Sequence, residues 1–327
     1  VDVHSHFVAR DVLDVLEREG ARYGTPLRHD PDGRLFVLTP ERAYGPIGPA
    51  FSDVDRRREF MRAHGIATQV LSPPPFLFYY WLDGEAGLDI VRMENDAIAA
   101  VVARDPAHFA GLGTVPLQDV AASIRECERI KRAGLRGVEV GSNVDGRDLD
   151  APEFQPFFEA LQDLDLPVLL HGGNVAGGER MNEFHLRNLV GFPLDTTLAA
   201  ARLIFAGVLD RFPRLRLCVG QAGGALPYLA GRLDHGHAVR PECRRSIAGP
   251  PSGYLRRLYF DTITHSAPAL RLLLDIVGPE RVMVGSDFPF DMGAAAPRAV
   301  VEAQTLSPAD RARIDRGTAA EFLGLAG

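Results

Sequence analysis

Lysine is nearly missing from this chain. Lys131 is the sole lysine among 36 basic residues, and the rest are arginine. Schiff-base catalysis, a phosphate-loop lysine or a carboxylated lysine bridging two metals would therefore rest on it alone. Its setting, Ile130-Lys131-Arg132-Ala133-Gly134, reads as the exposed end of a helix before a terminal glycine. Those chemistries are set aside. Cysteine is also scarce: Cys127, Cys218 and Cys243 are too few and too scattered for a disulfide framework or a thiolate metal cluster. No apolar run approaches the roughly 18 residues of a membrane span, and Val1-Asp2-Val3-His4-Ser5-His6 is unlike a signal peptide. A cytoplasmic protein with no membrane partner is expected. No GxGxxG fingerprint follows the first apolar run, and no internal repeat or low-complexity tract is present. A net charge of −7 argues against a nucleic-acid partner.

What is present is an ordinary globular composition, 46% apolar and 24% charged over 327 residues. That length suits two domains, or one α/β barrel of about 250 residues with insertions. The order of elements favours the barrel. Short apolar runs at 1–3, 68–71, 109–114, 137–140, 167–170, 216–219, 258–260 and 282–284 read as eight strands. Amphipathic stretches at 11–19, 54–64, 90–104, 120–132, 154–164, 197–210, 267–277 and 308–316 read as helices. Eight such βα units predict an α/β, (β/α)8 barrel as a single domain over 1–327, with an open doubly wound sheet as the alternative. A small excursion at about 21–52, holding the ribbon-like run Arg34-Leu35-Phe36-Val37-Leu38-Thr39, interrupts the first unit. A second irregular stretch spans 237–253.

In such a barrel, chemistry collects where strands give way to loops. Those junctions hold His4-Ser5-His6, His171-Gly172-Gly173-Asn174, Gly220-Gln221-Ala222-Gly223-Gly224, Asp261-Thr262-Ile263-Thr264-His265 and Gly285-Ser286-Asp287-Phe288-Pro289. His4 and His6, two apart, face the same side of an extended strand. Taken singly, a solvated His-x-His pair, a turn-capping His171 and an N-cap Asp287 are ordinary features. Three histidines and an aspartate converging from strands one, five and eight match the donor set of a catalytic divalent metal with an open water position. His265 stands between an acid/base role and a structural one. His235 reads as helix-terminal, and His29, His64, His108, His185 and His237 receive no role.

Further motifs are Gly111-Leu112-Gly113-Thr114-Val115-Pro116, Leu189-Val190-Gly191-Phe192-Pro193, Asp210-Arg211-Phe212-Pro213 and Gly231-Arg232-Leu233-Asp234-His235-Gly236. With these and the strand-end residues, the chain resembles the decarboxylase branch of the amidohydrolase superfamily over most of its length. The resemblance implies a (β/α)8 barrel and one divalent metal on His4, His6, His171 and Asp287, zinc in the first place and manganese otherwise. It also implies a small carboxylic acid substrate, and a homodimer in which Arg232 binds a substrate carboxylate across the interface.

Two positions depart from that pattern. The family places an acid/base histidine where this chain has Gln221, and a carboxamide only donates and accepts hydrogen bonds. Asp287 and His265 are then the candidates for proton transfer, with Gln221 left to bind substrate or metal water. The family's early arginine has its counterpart near Pro46, and Arg42 is the nearest arginine. The aromatic run 73–81 could wall the pocket or simply pack a loop.

The expected function is a metal-dependent decarboxylase of a small unsaturated or aromatic acid. One alternative is a hydrolase or hydratase of a lactone, amide or unsaturated acid on the same scaffold. A second is a non-catalytic ligand-binding homologue.

Overall fold

The computed structural model describes residues 1–325. Eight short strands form in chain order: β1 (Asp2–His6), β2 (Gln69–Ser72), β3 (Phe109–Gly111), β4 (Val138–Gly141), β5 (Val168–His171), β6 (Leu217–Val219), β7 (Tyr259–Asp261) and β8 (Val282–Met283). β1 through β3 pair in parallel, as do β4 through β8. Two seams join these arcs. Between β3 and β4 lies a single bridge, Gly113 to Val138. Between β8 and β1, Val3 N–H donates to the Val284 carbonyl at 2.9 Å and Ser5 bridges Phe288. The sheet thus closes on itself as a (β/α)8 barrel.

The strands are apolar on both faces because helices cover the outside and side chains fill the inside. Along β5, Val168 and Leu170 pack outward with Phe157, Phe158 and Leu161 of the helix Gln155–Asp163. Leu169 points inward and joins Cys218, Tyr259 and Met283 in an interior layer, with Phe322 and Leu323 of the last helix (Thr318–Leu323) packed against it. Two residues further along, the same strands or their ends present His171, Gly220, Asp261 and Gly285. Strand alternation therefore places a polar layer directly above an apolar one.

The excursion after α1 (Arg10–Glu19) is a three-stranded antiparallel ribbon of Leu27–His29, Leu35–Leu38 and Ala43–Tyr44. Its Val37 buries beside Ile47, Phe51, Phe76 and Leu77 in a separate cluster. The predicted ribbon run is the middle strand of this sheet.

Other helices lie close to their predicted positions, with three departures. The helix expected from residue 90 begins at Gly84, because the Asp83 side chain accepts the Ala86 N–H and caps it. The stretch expected at 197–210 divides into Phe192–Phe205 and Val208–Arg211 at a left-handed Gly207. The helix Leu226–Val239 was not anticipated. It contains Pro227, Gly231 and Gly236, which read as breakers, but Pro227 falls in the first turn where its missing N–H has no role. Among the described residues, no helix is long and apolar enough to cross a membrane.

The turn from β6 into that helix passes through Gly224 at φ +60°, where an added Cβ would collide with the Pro193 carbonyl oxygen. Gly224→Ala should destabilise the protein by about 2 kcal/mol or more, read as a lowered urea midpoint.

Candidate metal centre

β1 carries a register irregularity between Asp2 and Ser5, and its two histidines meet His171 from β5. The three buried rings lie 5.1, 5.2 and 5.4 Å apart, centroid to centroid. Each is oriented through Nδ1. His4 Nδ1–H donates to Asp261 Oδ2 at 2.7 Å, His171 Nδ1–H to the Gly172 carbonyl at 2.8 Å, and His6 Nδ1–H to the Pro73 carbonyl at 3.4 Å. All three keep Nε2 for another partner. Asp287, at the end of β8, sets Oδ1 2.9 Å from His6 Nε2 and 3.7 Å from His4 Nε2.

These atoms are close but do not satisfy one another. His4 Nε2, His6 Nε2 and Asp287 Oδ1 are buried and make no well-aligned hydrogen bond. An orphaned buried polar atom costs about 1–3 kcal/mol, so three of them facing a common point are costly unless a cation lies between. Imidazole nitrogens with a carboxylate oxygen are the donors that suit zinc and similar ions. The residues fit a divalent metal site.

Glu139, in β4, is a further member that strand reading passed over. Donor atoms of His4, His6, His171 and Glu139 lie within 4.8 Å of one another, and both Glu139 oxygens are buried and unpartnered. Its Oε1 approaches the Nδ1 side of His6 at 3.9 Å, whereas Asp287 faces the Nε2 side of both His4 and His6. Asp287 thus lies nearer than Glu139 to both His4 and His6, and both carboxylates border the free nitrogens.

The cluster is strongly polarised. Burial lowers the His4 pKa, but the Asp261 hydrogen bond and charge, with Asp287 and Glu139, outweigh it and raise the value to about 9. His171 has no such partner, so burial and the neighbouring imidazoles push it down to about 3. Burial alone would raise Asp287, but the three histidines hold it below the usual carboxylate range. Burial keeps Glu139 above that range.

Two recesses reach this floor, sharing Asn188, Phe192 and Asp287. The first, about 420 Å³, is walled by Tyr44, Phe51, Phe76, Phe192 and Phe290, with His171 and Asp287 below. Of the aromatic run 73–81, Pro75 and Phe76 reach this wall, while Trp81 turns away to donate to the Tyr23 carbonyl. Arg42 lines the same recess, stacked on Tyr44 at 4.3 Å and near Phe192 at 5.6 Å, and its buried Nε has no partner. His185, given no role from sequence, also lines it. The second recess, about 510 Å³, holds Gln221, His265, Tyr228 and Leu272.

Gln221 Nε2 lies 3.0 Å from His171 Nε2. Gln221, Ala222, His265 and Asp287 all adopt positive φ, between +49° and +59°, at a cost of order 1–3 kcal/mol each. Arg232 is exposed on Leu226–Val239 and lines neither recess. The structure thus brings together His4, His6, His171, Asp287 and Gln221, sets His265 at the mouth, and leaves Arg232 outside.

A family model described as amidohydrolase matches residues 1–325. The 2-amino-3-carboxymuconate-6-semialdehyde decarboxylase of Dictyostelium discoideum is 33% identical, covering 99% of this chain and 91% of that one. The crystal structure of 5-carboxyvanillate decarboxylase from Sphingomonas paucimobilis superposes with a TM-score of 0.84 at 27% identity, covering 99% and 98% of the two chains. The corresponding enzyme of Novosphingobium aromaticivorans, solved with manganese and 3-methoxy-4-hydroxy-5-nitrobenzoic acid, gives 0.84 at 27%, covering 99% and 96%. The chain belongs to the amidohydrolase family.

Elemental analysis should find about one divalent ion per chain in the purified protein. Asp287→Ala and His6→Ala should each lose most of it while keeping the far-ultraviolet circular dichroism of the parent.

Proposed function

We propose that this metal-dependent carboxy-lyase acts on a small aromatic or unsaturated carboxylic acid at the floor shared by the two recesses. The observation that carries the reading is the set of orphaned Nε2 and Oδ1 atoms beneath an aromatic-walled recess that also holds an arginine with an unpartnered Nε. His4, His6, His171 and Asp287 would hold the metal. Zinc suits three imidazoles and one carboxylate, and manganese, present in the Novosphingobium relative, is the alternative. When bound, such an ion supplies a Lewis acid that polarises substrate oxygens and lowers the pKa of water.

The chain's own residues divide the remaining work. Arg42 is a guanidinium already held over the Tyr44 ring and near Phe192, so a planar anionic substrate finds a bidentate donor and apolar walls together. Decarboxylation breaks the carbon–carboxylate bond, releases carbon dioxide and leaves an electron pair on carbon that must receive a proton. Asp287 belongs to both recesses and is the carrier for that proton, taking it from the side opened by His265. Gln221 donates from its carboxamide and holds substrate without titrating.

The protein is read as a cytoplasmic homodimer. Leu189, Leu194, Leu198, Tyr228 and Leu272 are exposed on the segments around the second recess, and Tyr228 reaches 81% exposure. Covering such a patch favours a partner surface, and a second copy would bring its Arg232 toward this mouth. Its three cysteines are free thiols.

With an aromatic or dienoic acid as substrate, carbon dioxide should appear in one-to-one proportion with substrate lost. Product formed without carbon dioxide would identify a hydrolase or hydratase instead. Arg42→Gln should raise KM about tenfold or more with a smaller change in kcat. Sedimentation should show a dimer at micromolar concentration, shifted toward monomer by Tyr228→Asp.

A further inference from the structure

Asp261 is the most heavily used acceptor near the site, and it touches neither recess. It ends β7, is fully buried, and its two oxygens take four hydrogen bonds, one from β1, two from the turn after β6 and one from its own loop. Oδ2 accepts from His4 Nδ1–H at 2.7 Å and from the Gln221 backbone N–H at 2.9 Å. Oδ1 accepts from the Ala222 N–H at 2.7 Å and the Ile263 N–H at 3.0 Å. Gln221 and Ala222 are consecutive residues at φ +49° and +53°, so their N–H groups converge on the carboxylate as a nest.

We infer that Asp261 is the positioning residue of the metal centre, orienting His4 and the Gln221 turn at once. Because Nδ1–H of His4 is committed to this carboxylate, Nε2 is the nitrogen turned toward His6, His171 and Asp287. Through the two backbone bonds the same carboxylate fixes where Gln221 begins, and hence where its carboxamide meets His171. Space for this arrangement exists because residue 285 is glycine. A Cβ there would lie 2.8 Å from the Asp261 Cβ and 3.2 Å from the His4 Cβ.

The inference rests on the reading of the three histidines as metal ligands, but not on decarboxylation. Its test is Asp261→Asn. An asparagine has one acceptor oxygen, so either orientation of the amide sets its NH2 against two N–H donors. Ala222→Gly combined with Asp261→Asn relaxes the demand for positive φ and isolates the effect on His4.

Zinc affinity, measured by competition with a chromogenic chelator, should fall about 10–100-fold in both variants. The visible absorption of the cobalt-loaded protein should shift in both, while the melting temperature recovers in the double variant. Zinc affinity and cobalt spectrum within twofold of the parent would overturn the inference. So would full restoration of affinity by Ala222→Gly, or failure of both variants to fold, since Asp261 would then only support the backbone. A parent that binds zinc tightly yet releases no carbon dioxide would defeat the decarboxylase reading and leave this one standing.

Discussion

The closure of the barrel between β8 and β1 depends on one buried carboxylate, Asp2. Its Oδ2 accepts from Gln69 Nε2 at 2.9 Å and Ser286 Oγ at 2.6 Å, while Oδ1 accepts from the Ser286 N–H at 3.0 Å. Gln69 Oε1 in turn accepts from Arg57 at 2.9 Å, and that guanidinium lies 5.2 Å from the rings of both Phe7 and Phe288. A buried anion and a buried cation are thus linked through an amide and not by direct contact, with the Asp2 oxygens satisfied by donors from both sides of the seam. The site straddles that seam. His4 and His6 stand on β1, Asp287 follows β8, and the Asp287 N–H donates to the His4 carbonyl at 2.8 Å. His4, His6 and Asp287 therefore hold their spacing only because the first and last strands are fastened together.

Much of this barrel is legible in the sequence because its strands are short, apolar and separated by amphipathic helices, and each physical signal is local. The eight strands fall within or beside the runs read from composition alone. What escaped depends on tertiary context. The helix Leu226–Val239 carries a proline and two glycines, so its propensity is weak and packing sustains it. Asp83 extends a helix backward by a cap that periodicity does not register. At the site, His4, His6, His171 and Asp287 stand out as imidazoles and carboxylate at strand ends. Asp261 lies in the same kind of position, yet nothing in its neighbours along the chain reveals that its partners come from β1 and the turn after β6. Glu139 is hidden for a similar reason: a charged residue between two valines signals burial without saying what it faces.

Gln221 stands where the family resemblance leads one to expect a titratable histidine, and a carboxamide offers different chemistry there. A histidine at that place would add a fourth imidazole beside His4, His6 and His171, and a further cation whenever it was protonated. A carboxamide adds neither charge nor a titrating proton, and its nitrogen lies 3.0 Å from Nε2 of His171, whose affinity for a proton is driven down by burial and by its neighbours. The turn that carries Gln221 retains its left-handed backbone at Gln221 and Ala222, with Asp261 holding it. The left-handed geometry of the turn is fixed at Gln221 and Ala222, while a carboxamide brings no capacity for proton transfer.

This bears on which reaction the site favours. Hydrolysis moves protons twice, off the attacking water and onto the leaving group, and decarboxylation moves one, onto the carbon that loses carbon dioxide. Asp287 is a titratable side chain common to both recesses, whereas His185 and His265 each line only one and are exposed. A single buried carboxylate serves one proton delivery directly. It serves two only by carrying the same proton between groups that both lie within its reach. The substrate's charge adds to the argument. Arg42 enters the aromatic recess with a buried, unpartnered Nε, so an anionic acid gains there what a neutral lactone or amide would not. An aromatic wall and an arginine with an unpartnered Nε favour a planar acid in the first recess, and Asp287 on its floor is the titratable group we propose to deliver the proton.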